Sequence, residues 1–342
     1  MKKRTERLAR IERLRLKRLR RWPKHLEGRK KGLERIRMHD RAAAAAVKNR
    51  QRGNAVKAKA PVVFDLEKAT AEMLEFFHTV RETIRDGKPI DIDMSDVTDI
   101  SVSSLLYLVA IMQDAKLRGD VMDVHGNMPV HKRSRDIMEA SGFFNYVRRQ
   151  SSTLPFFKTT SILQITSGRQ HDSMLVSKLC AFIRKALEMN RNGTRYVFKI
   201  ITELMQNTIG HAYPDHKGED RMWYMSAQLM DDEVDIAFLD TGVGIPKTVQ
   251  KKLKEEISEF ISLTGDEDFL MSALEGIPNR TQTGKRYRGK GLPTIYQLYQ
   301  KGKISKLAIM SGMGYINGMD KKRLKKKMFG TLFRFRIGVT ND

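Results

Sequence analysis

Apolar and polar positions in residues 61–150 follow two different periods, and this pattern predicts a small α/β domain. The run Ile90-Asp91-Ile92-Asp93-Met94 alternates with a period of two, as a half-buried strand does. Residues 69–85 instead carry apolar side chains at helical spacing. Strands alternate with helices, which indicates a sheet covered by helices. In order, the predicted elements are strand 61–66, helix 69–85, strand 90–94, helix 104–117, strand 121–124 and a helix from 134 that ends near Gly142.

The second half of the chain, residues 173–340, has the pattern of another α/β domain. We expect residues 151–172 to link the two domains, with a strand near 161–165 that could begin the second one. The predicted elements are a helix at 176–189, a helix around Glu203, an antiparallel pair at 223–230 and 233–239, a helix from Leu292 and a strand at 330–337. The expected fold class is therefore mixed, α+β or α/β, in two domains.

Positive charge is concentrated at the beginning of the chain. The net charge is +24, and residues 1–60 hold 23 Lys and Arg against 5 Asp and Glu. Residues 1–22 have a thin apolar stripe between arginines, so we expect a basic helical arm or tail over residues 1–60. Such an arm could contact nucleic acid or another polyanion without sequence specificity. It could equally be a solvated tail or a helix that docks on a partner protein.

Hydrophobicity and cysteine content bear on whether the protein spans a membrane and on the redox state of its compartment. No run of about 18 apolar residues is present, which argues against a membrane span. Cys180 is the single cysteine, so an intramolecular disulfide is excluded and a reducing, cytoplasmic compartment is expected. Its apolar neighbours predict a buried structural thiol.

Three polar residues mark the predicted helix around Glu203. Glu203, Asn207 and His211 are four residues apart and therefore share one helix face. Asn207 offers an amide oxygen to Mg²⁺, a hard cation that prefers oxygen ligands. Glu203 can hold or deprotonate an attacking water or hydroxyl. Alone, the triplet could be no more than a solvated polar face.

Two glycine-containing stretches follow. In the first, Asp240 ends a strand, and a buried carboxylate there needs a donor such as the exocyclic amine of adenine. Gly242 and Gly244 allow a sharp turn close to the base. In the second, glycine N–H groups would face phosphates, a helix N-terminus would favour anions and a lysine would add charge; its residues are Gly289, Lys290, Gly291 and Leu292.

These stretches, in this order and followed by Gly330-Thr331, resemble the GHKL ATPases. That family includes histidine kinases, anti-sigma-factor serine kinases, Hsp90, MutL and type II topoisomerases. The resemblance implies a Bergerat fold, a mixed sheet covered by helices, with ATP and Mg²⁺ as ligands. It also implies roles: Glu203 as catalytic base, Asn207 as metal ligand, Asp240 and Thr331 at the adenine, Gly242 and Gly244 in the loop beside it, Gly289 and Gly291 in the phosphate lid, and His211 either near the phosphates or in packing.

The chain departs from the family pattern at two positions. Gly210 stands where kinases of the family often carry Lys or Arg, and Lys290 stands where a small or apolar residue is commoner. We expect residues 247–282 to form a lid that orders on nucleotide binding. A second basic cluster, residues 321–327, is most simply a solvated loop.

The first domain resembles the STAS domain, the fold of anti-sigma-factor antagonists. The resemblance lies in residues 92–100, in Ser103-Ser104-Leu105 and in Gly142-Phe143. Val102 falls on the position of the serine that is phosphorylated in the antagonists. We therefore expect a sensing or docking module, with the nearby serines as helix caps.

Three functions are compatible with the sequence. The first is a GHKL-type ATPase that works as a nucleotide-dependent switch and couples ATP binding and hydrolysis to docking of a partner protein or nucleic acid. The second is a serine/threonine protein kinase of the anti-sigma type, which residues 207–213 resemble most closely. The third is a non-catalytic binding module with a polyanion-binding arm. We favour the first, because all three stretches are intact while no protein substrate is visible. A homodimer is compatible with the resemblance.

Overall fold

A computed structural model describes residues 55–120, 123–147, 161–211, 222–256, 264–276 and 291–339; for 211 and 251–256 it describes the backbone only. The chain divides into two compact units, Met1–Ala55 and Val56–Asp342. The fold below is that of the second unit. The predicted basic helix at 1–22 lies outside the described residues, as does most of the arm.

The first part of this unit is a parallel α/β arrangement, as the alternating pattern predicts. Strands β1, β3 and β5 form a parallel sheet in the order β1-β3-β5, and β2 pairs in parallel with β4. The strands are β1 Val56–Lys59, β2 Val63–Phe64, β3 Ile90–Asp93, β4 Asp99–Ile100 and β5 Val124–Gly126. The helices are α1 Thr70–Arg85, α2 Val102–Leu117, α3 Lys132–Ala140 and α4 Phe144–Val147.

Strand β1 lies in a segment that the sequence analysis assigned to the basic helical arm. Lys57 and Lys59 are exposed and give the segment its basic character, whereas Ala58 between them is buried. This alternation is that of a half-buried strand, which pairs with β3 from Val56 onward. The expectation of a helical arm is therefore wrong for these four residues.

The second part is built on a five-stranded antiparallel sheet in the order β6-β7-β8-β10-β9. Its strands are β6 Ile162–Gly168, β7 Trp223–Met230, β8 Glu233–Asp240, β9 Ser305–Asn317 and β10 Asp320–Gly338. The predicted β7–β8 pair is confirmed. β6 forms one edge of this sheet, so residues 162–168 belong to the sheet rather than to a linker.

Helices cover both faces of the five-stranded sheet. On β8, Phe238 points to one face and Leu239 to the other, as alternation requires. Phe238 shares a core with four helices: α5 Ser173–Ala186, α6 Arg195–His211, α8 Asp266–Glu275 and α9 Gly291–Gln300. Leu239 shares a core with α1 and α2. We call these the α6–α9 face and the α1–α2 face.

Helix α2 is apolar around its whole circumference because it lies inside the protein. Every residue from Val102 to Met112 is buried. The helix packs on α1 and α3 and also against strands β7 and β8. Residues of the first part and of the five-stranded sheet therefore form one continuous hydrophobic core.

Two segments have structures that differ from the prediction. Residues 321–327 are not a loop but part of β10, whose Lys and Arg side chains there are exposed while Leu324 is buried. The predicted lid, residues 247–282, contains most of α7 Ile245–Glu256 and all of α8. Leu270 and Leu274 fix α8 in the core, so this part of the segment is not a lid. None of the helices in the described ranges is long and apolar enough to cross a membrane.

Candidate nucleotide site

Helix α6 carries the polar triplet, as predicted. Ile201, Leu204 and Met205 are buried against the sheet, and Glu203 and Asn207 on the neighbouring face are half-buried. The Nδ2 atom of Asn207 is buried and has no hydrogen-bond partner among the described residues. A buried amide without a partner is costly, so this donor fits a ligand that brings acceptor oxygens.

Glu203 lies against the first residue of α9. A Cβ atom placed on Gly291 would overlap the side chain of Glu203. Any larger residue at 291 would force the Glu203 side chain to move, so glycine permits the approach that brings the carboxylate of α6 to the N-terminus of α9. A helix N-terminus favours negative charge through its free N–H groups and its dipole. Leu292 follows within α9 and is half-buried.

Asp240 ends β8 on the α6–α9 face of the sheet. It lies directly opposite Trp223 of β7 and Thr331 of β10. Residues opposite one another on neighbouring strands point to the same side, and Phe238, two positions earlier, faces the helices. Asp240 and Thr331 therefore lie on the face that α6 and α9 cover.

The carboxylate of Asp240 is buried with little compensation. The residue is 8% exposed, and its Oδ1 accepts a hydrogen bond of 2.8 Å from the backbone N–H of Gly242. Burial raises the pKa of Asp240 to about 7, although the Gly242 N–H lowers it in part. A hydrogen-bond donor from a ligand would stabilise the ionised form.

Two hydroxyl groups contact each other on the sheet beside Asp240. The hydroxyls of Thr331 and Ser311 are 3.0 Å apart, and Ser311 Oγ accepts a 2.9 Å hydrogen bond from the N–H of Ile245. Gly244 has a φ of 89°, and a Cβ there would come within 2.9 Å of Ser311 Oγ. The predicted turn glycine is thus required by both conformation and space.

Some predicted site residues are not described. Gly289 and Lys290 lie outside the described residues, and His211 ends α6 without a described side chain. Gly210 is exposed on α6. In the described part of the chain, no group of three or more His, Cys, Asp and Glu side chains is arranged to hold a metal ion.

The serines at the start of α2 have structural roles. Ser101 is the N-cap of α2, and its Oγ accepts from the N–H of Ser104. Ser103 and Ser104 are buried, and Ser104 Oγ accepts from the N–H of Leu66. The cap of α2 is therefore Ser101, and the expectation that Ser103 and Ser104 are helix caps is wrong, because both lie inside the first turn of the helix.

Three residues near the site were missed by the sequence analysis. Ser311 bonds to Thr331, while Tyr107 and Arg81 contact Phe329, two positions before Thr331. Ser311 precedes Gly312 in a strand, which is a signal of a close backbone approach. Nothing local marks Tyr107 or Arg81, because they lie on helices far away in sequence.

No protein-family model matches the chain, and no curated protein matches it significantly.

Proposed function

We propose that this chain is a Mg²⁺-dependent ATPase of the GHKL type that works as a nucleotide-dependent switch. The single observation that carries the proposal is the contact between Glu203 and Gly291, because it brings a carboxylate to a helix N-terminus suited to phosphates. The buried carboxylate of Asp240, on the same face of the sheet, supports an adenine at the far end of the nucleotide.

Each residue has a distinct task in this proposal. Asp240 accepts a hydrogen bond from the exocyclic amine of adenine, and Thr331 lines the same end. Asn207 holds Mg²⁺ through its amide oxygen, while its buried Nδ2 donates to a phosphate oxygen. Glu203 orients and deprotonates the attacking water. Bound Mg²⁺ supplies charge neutralisation for the phosphates.

The STAS-like segment is, in this proposal, a built-in part of the switch. Its helices α1 and α2 share one core with the five-stranded sheet, so it responds to nucleotide while remaining attached. Docking of a partner protein or nucleic acid would then involve the basic residues 1–60.

ATP turnover by the purified full chain tests the proposal. We expect Mg²⁺-dependent hydrolysis in the wild type and, in Glu203→Gln, a fall in turnover of at least about 100-fold with ATP binding retained. Glu72→Gln, an exposed carboxylate on α1, is the matched control and should leave turnover unchanged.

The possible outcomes discriminate between the alternatives. Undiminished turnover in Glu203→Gln would remove Glu203 as the base. A wild type that neither binds nor hydrolyses ATP would refute the proposal. Transfer of the γ-phosphate to a partner protein rather than to water would identify a kinase.

A further inference from the structure

Strand β10 has an irregularity immediately before the candidate nucleotide site. Met328 pairs with Gly312 and Thr331 pairs with Ser311, so Phe329 and Gly330 are two extra residues on β10 between consecutive positions of β9. Pairing of β10 with β8 begins at Thr331, opposite Asp240. The bulge therefore determines where Thr331 and Asp240 come together.

The bulge needs support from outside the sheet, because residues within it lose ladder partners. The backbone N–H of Phe329 donates a hydrogen bond of 2.8 Å to the hydroxyl of Tyr107 on α2. Tyr107 is 2% exposed, and its ring packs edge-to-face on Phe77 with centroids 4.7 Å apart. Its hydroxyl is thus held in a rigid position on the α1–α2 face.

A second side chain contacts the ring of Phe329, whereas Tyr107 bonds to its backbone. The guanidinium carbon of Arg81, on α1, lies 3.8 Å from the centroid of the Phe329 ring. Its Nε is buried and has no hydrogen-bond partner among the described residues, so the ring face compensates part of the buried charge. Both α1 and α2 therefore contact the same residue of the bulge.

The next residue, Gly330, connects Phe329 to the candidate nucleotide site. Gly330 has a φ of 81°, and its backbone lies against the carbonyl of Asp240. Its own carbonyl oxygen accepts a 3.3 Å hydrogen bond from Ser311 Oγ, the hydroxyl that also contacts Thr331. A shift of Phe329 would thus move Gly330, Thr331 and the neighbourhood of Asp240.

We propose that Tyr107 is a positioning residue for the nucleotide site: its hydroxyl holds the Phe329–Gly330 bulge, which sets Thr331 against Asp240. The α1–α2 face is thereby coupled to nucleotide affinity through one hydrogen bond and one ring contact. This inference rests on the proposed function, because it concerns binding of the adenine end of ATP.

Binding of the β,γ-imido analogue of ATP, measured by calorimetry with Mg²⁺, tests the inference. Tyr107→Phe keeps the ring and removes the acceptor, and we expect affinity to fall about tenfold, which corresponds to about 1.4 kcal/mol. The matched control is Tyr146→Phe on α4. Its hydroxyl also bonds to the sheet, to the Ile165 carbonyl at 3.2 Å and Ser167 Oγ at 3.3 Å, but on edge strand β6.

The control separates positioning from general stability. Both substitutions remove a partly or fully buried hydroxyl contact and should lower the Tm, whereas only Tyr107→Phe should change nucleotide affinity. Arg81→Met provides a second variant, which keeps an apolar stem but removes the charge over the Phe329 ring. It should weaken nucleotide binding in the same direction.

The outcomes distinguish this inference from the proposed function. Wild-type binding with a selective loss in Tyr107→Phe supports the inference, and a loss in Arg81→Met beside it extends the support to the ring contact. Wild-type binding with equal affinities in Tyr107→Phe and Tyr146→Phe would overturn it, whatever the effect of Arg81→Met, and leave the nucleotide site intact. No nucleotide binding by the wild type would overturn the proposed function and the inference with it.

Discussion

Gly330 lies with its backbone directly against the backbone of Asp240, so that a Cβ at position 330 would overlap the Asp240 carbonyl. The same glycine has a φ of 81°, which L-residues rarely adopt. Two independent constraints therefore require glycine beside the candidate adenine contact.

Replacement of Gly330 by alanine should be strongly destabilising. We expect Gly330→Ala to lower the free energy of unfolding by more than about 3 kcal/mol, since backbone strain and a backbone clash act together. Gly302 is the matched control: its φ is 68°, but a Cβ atom at this position would extend into open space. Gly302→Ala should cost only about 1–2 kcal/mol. Equal losses in urea unfolding would contradict the crowding at Gly330.

The raised pKa of Asp240 predicts a pH-dependent stability. With a folded pKa of about 7 and an ordinary value of 3.8, the folded state binds more protons between these pH values than the unfolded chain does. Asp240 therefore lowers the stability of the free protein progressively as the pH rises from about 4 to about 7.

Asp240→Asn should remove this dependence. The advantage of the variant over the wild type should be small at pH 4 and grow to roughly 4 kcal/mol above pH 7, because one pKa unit corresponds to about 1.4 kcal/mol. Urea unfolding of both proteins at several pH values measures it. A difference that does not change with pH would show that Asp240 titrates normally.

Arg334 holds a buried group of carboxylates on the α1–α2 face. Its Nη2 lies 2.6 Å from Asp235, and its Nη1 lies 3.1 Å from Glu67 and 3.5 Å from Asp65. Arg334→Met would remove the main cation of this group and leave Asp235 only the longer 3.9 Å contact with Arg336, so we expect a loss of about 3–5 kcal/mol in the free energy of unfolding. Lys326→Met, which removes an exposed pair with Glu75, should have little effect. Similar effects of both substitutions would refute the structural role of Arg334.

Cys180 should resist modification in the folded protein. The thiol is buried and lies 3.7 Å from the Thr194 carbonyl oxygen, and burial raises its pKa. Reaction with an aromatic disulfide reagent should be slow in buffer and complete in urea. Rapid reaction of the native protein would contradict the burial.

Sequence periodicity was sufficient for the elements whose exposed and buried sides differ. The helix with Glu203 and the β7–β8 pair follow from local pattern and are present. β1 was missed because lysines on its exposed side conceal a short alternating pattern. The basic half of β10 was missed because Leu324 is its one buried residue among exposed basic ones, so it has no alternation to detect.

Contacts between residues far apart in the chain could not be predicted from the sequence. Nothing in the residues around Tyr107 indicates that its hydroxyl meets the backbone of Phe329, since the two are 222 positions apart. The contact of Glu203 with Gly291 was likewise unpredictable from spacing, although each residue was singled out. Tertiary packing, which local sequence does not encode, decides both contacts.

The base preference of the site tests the central claim most directly. An ionised Asp240 can accept from the exocyclic amine of adenine, whereas guanine presents a carbonyl oxygen at that position. At pH 8, calorimetry with Mg²⁺ should show ATP binding at least about tenfold tighter than GTP binding, with the preference reduced in Asp240→Asn. Equal binding of the two nucleotides, or no binding of ATP, would contradict the account.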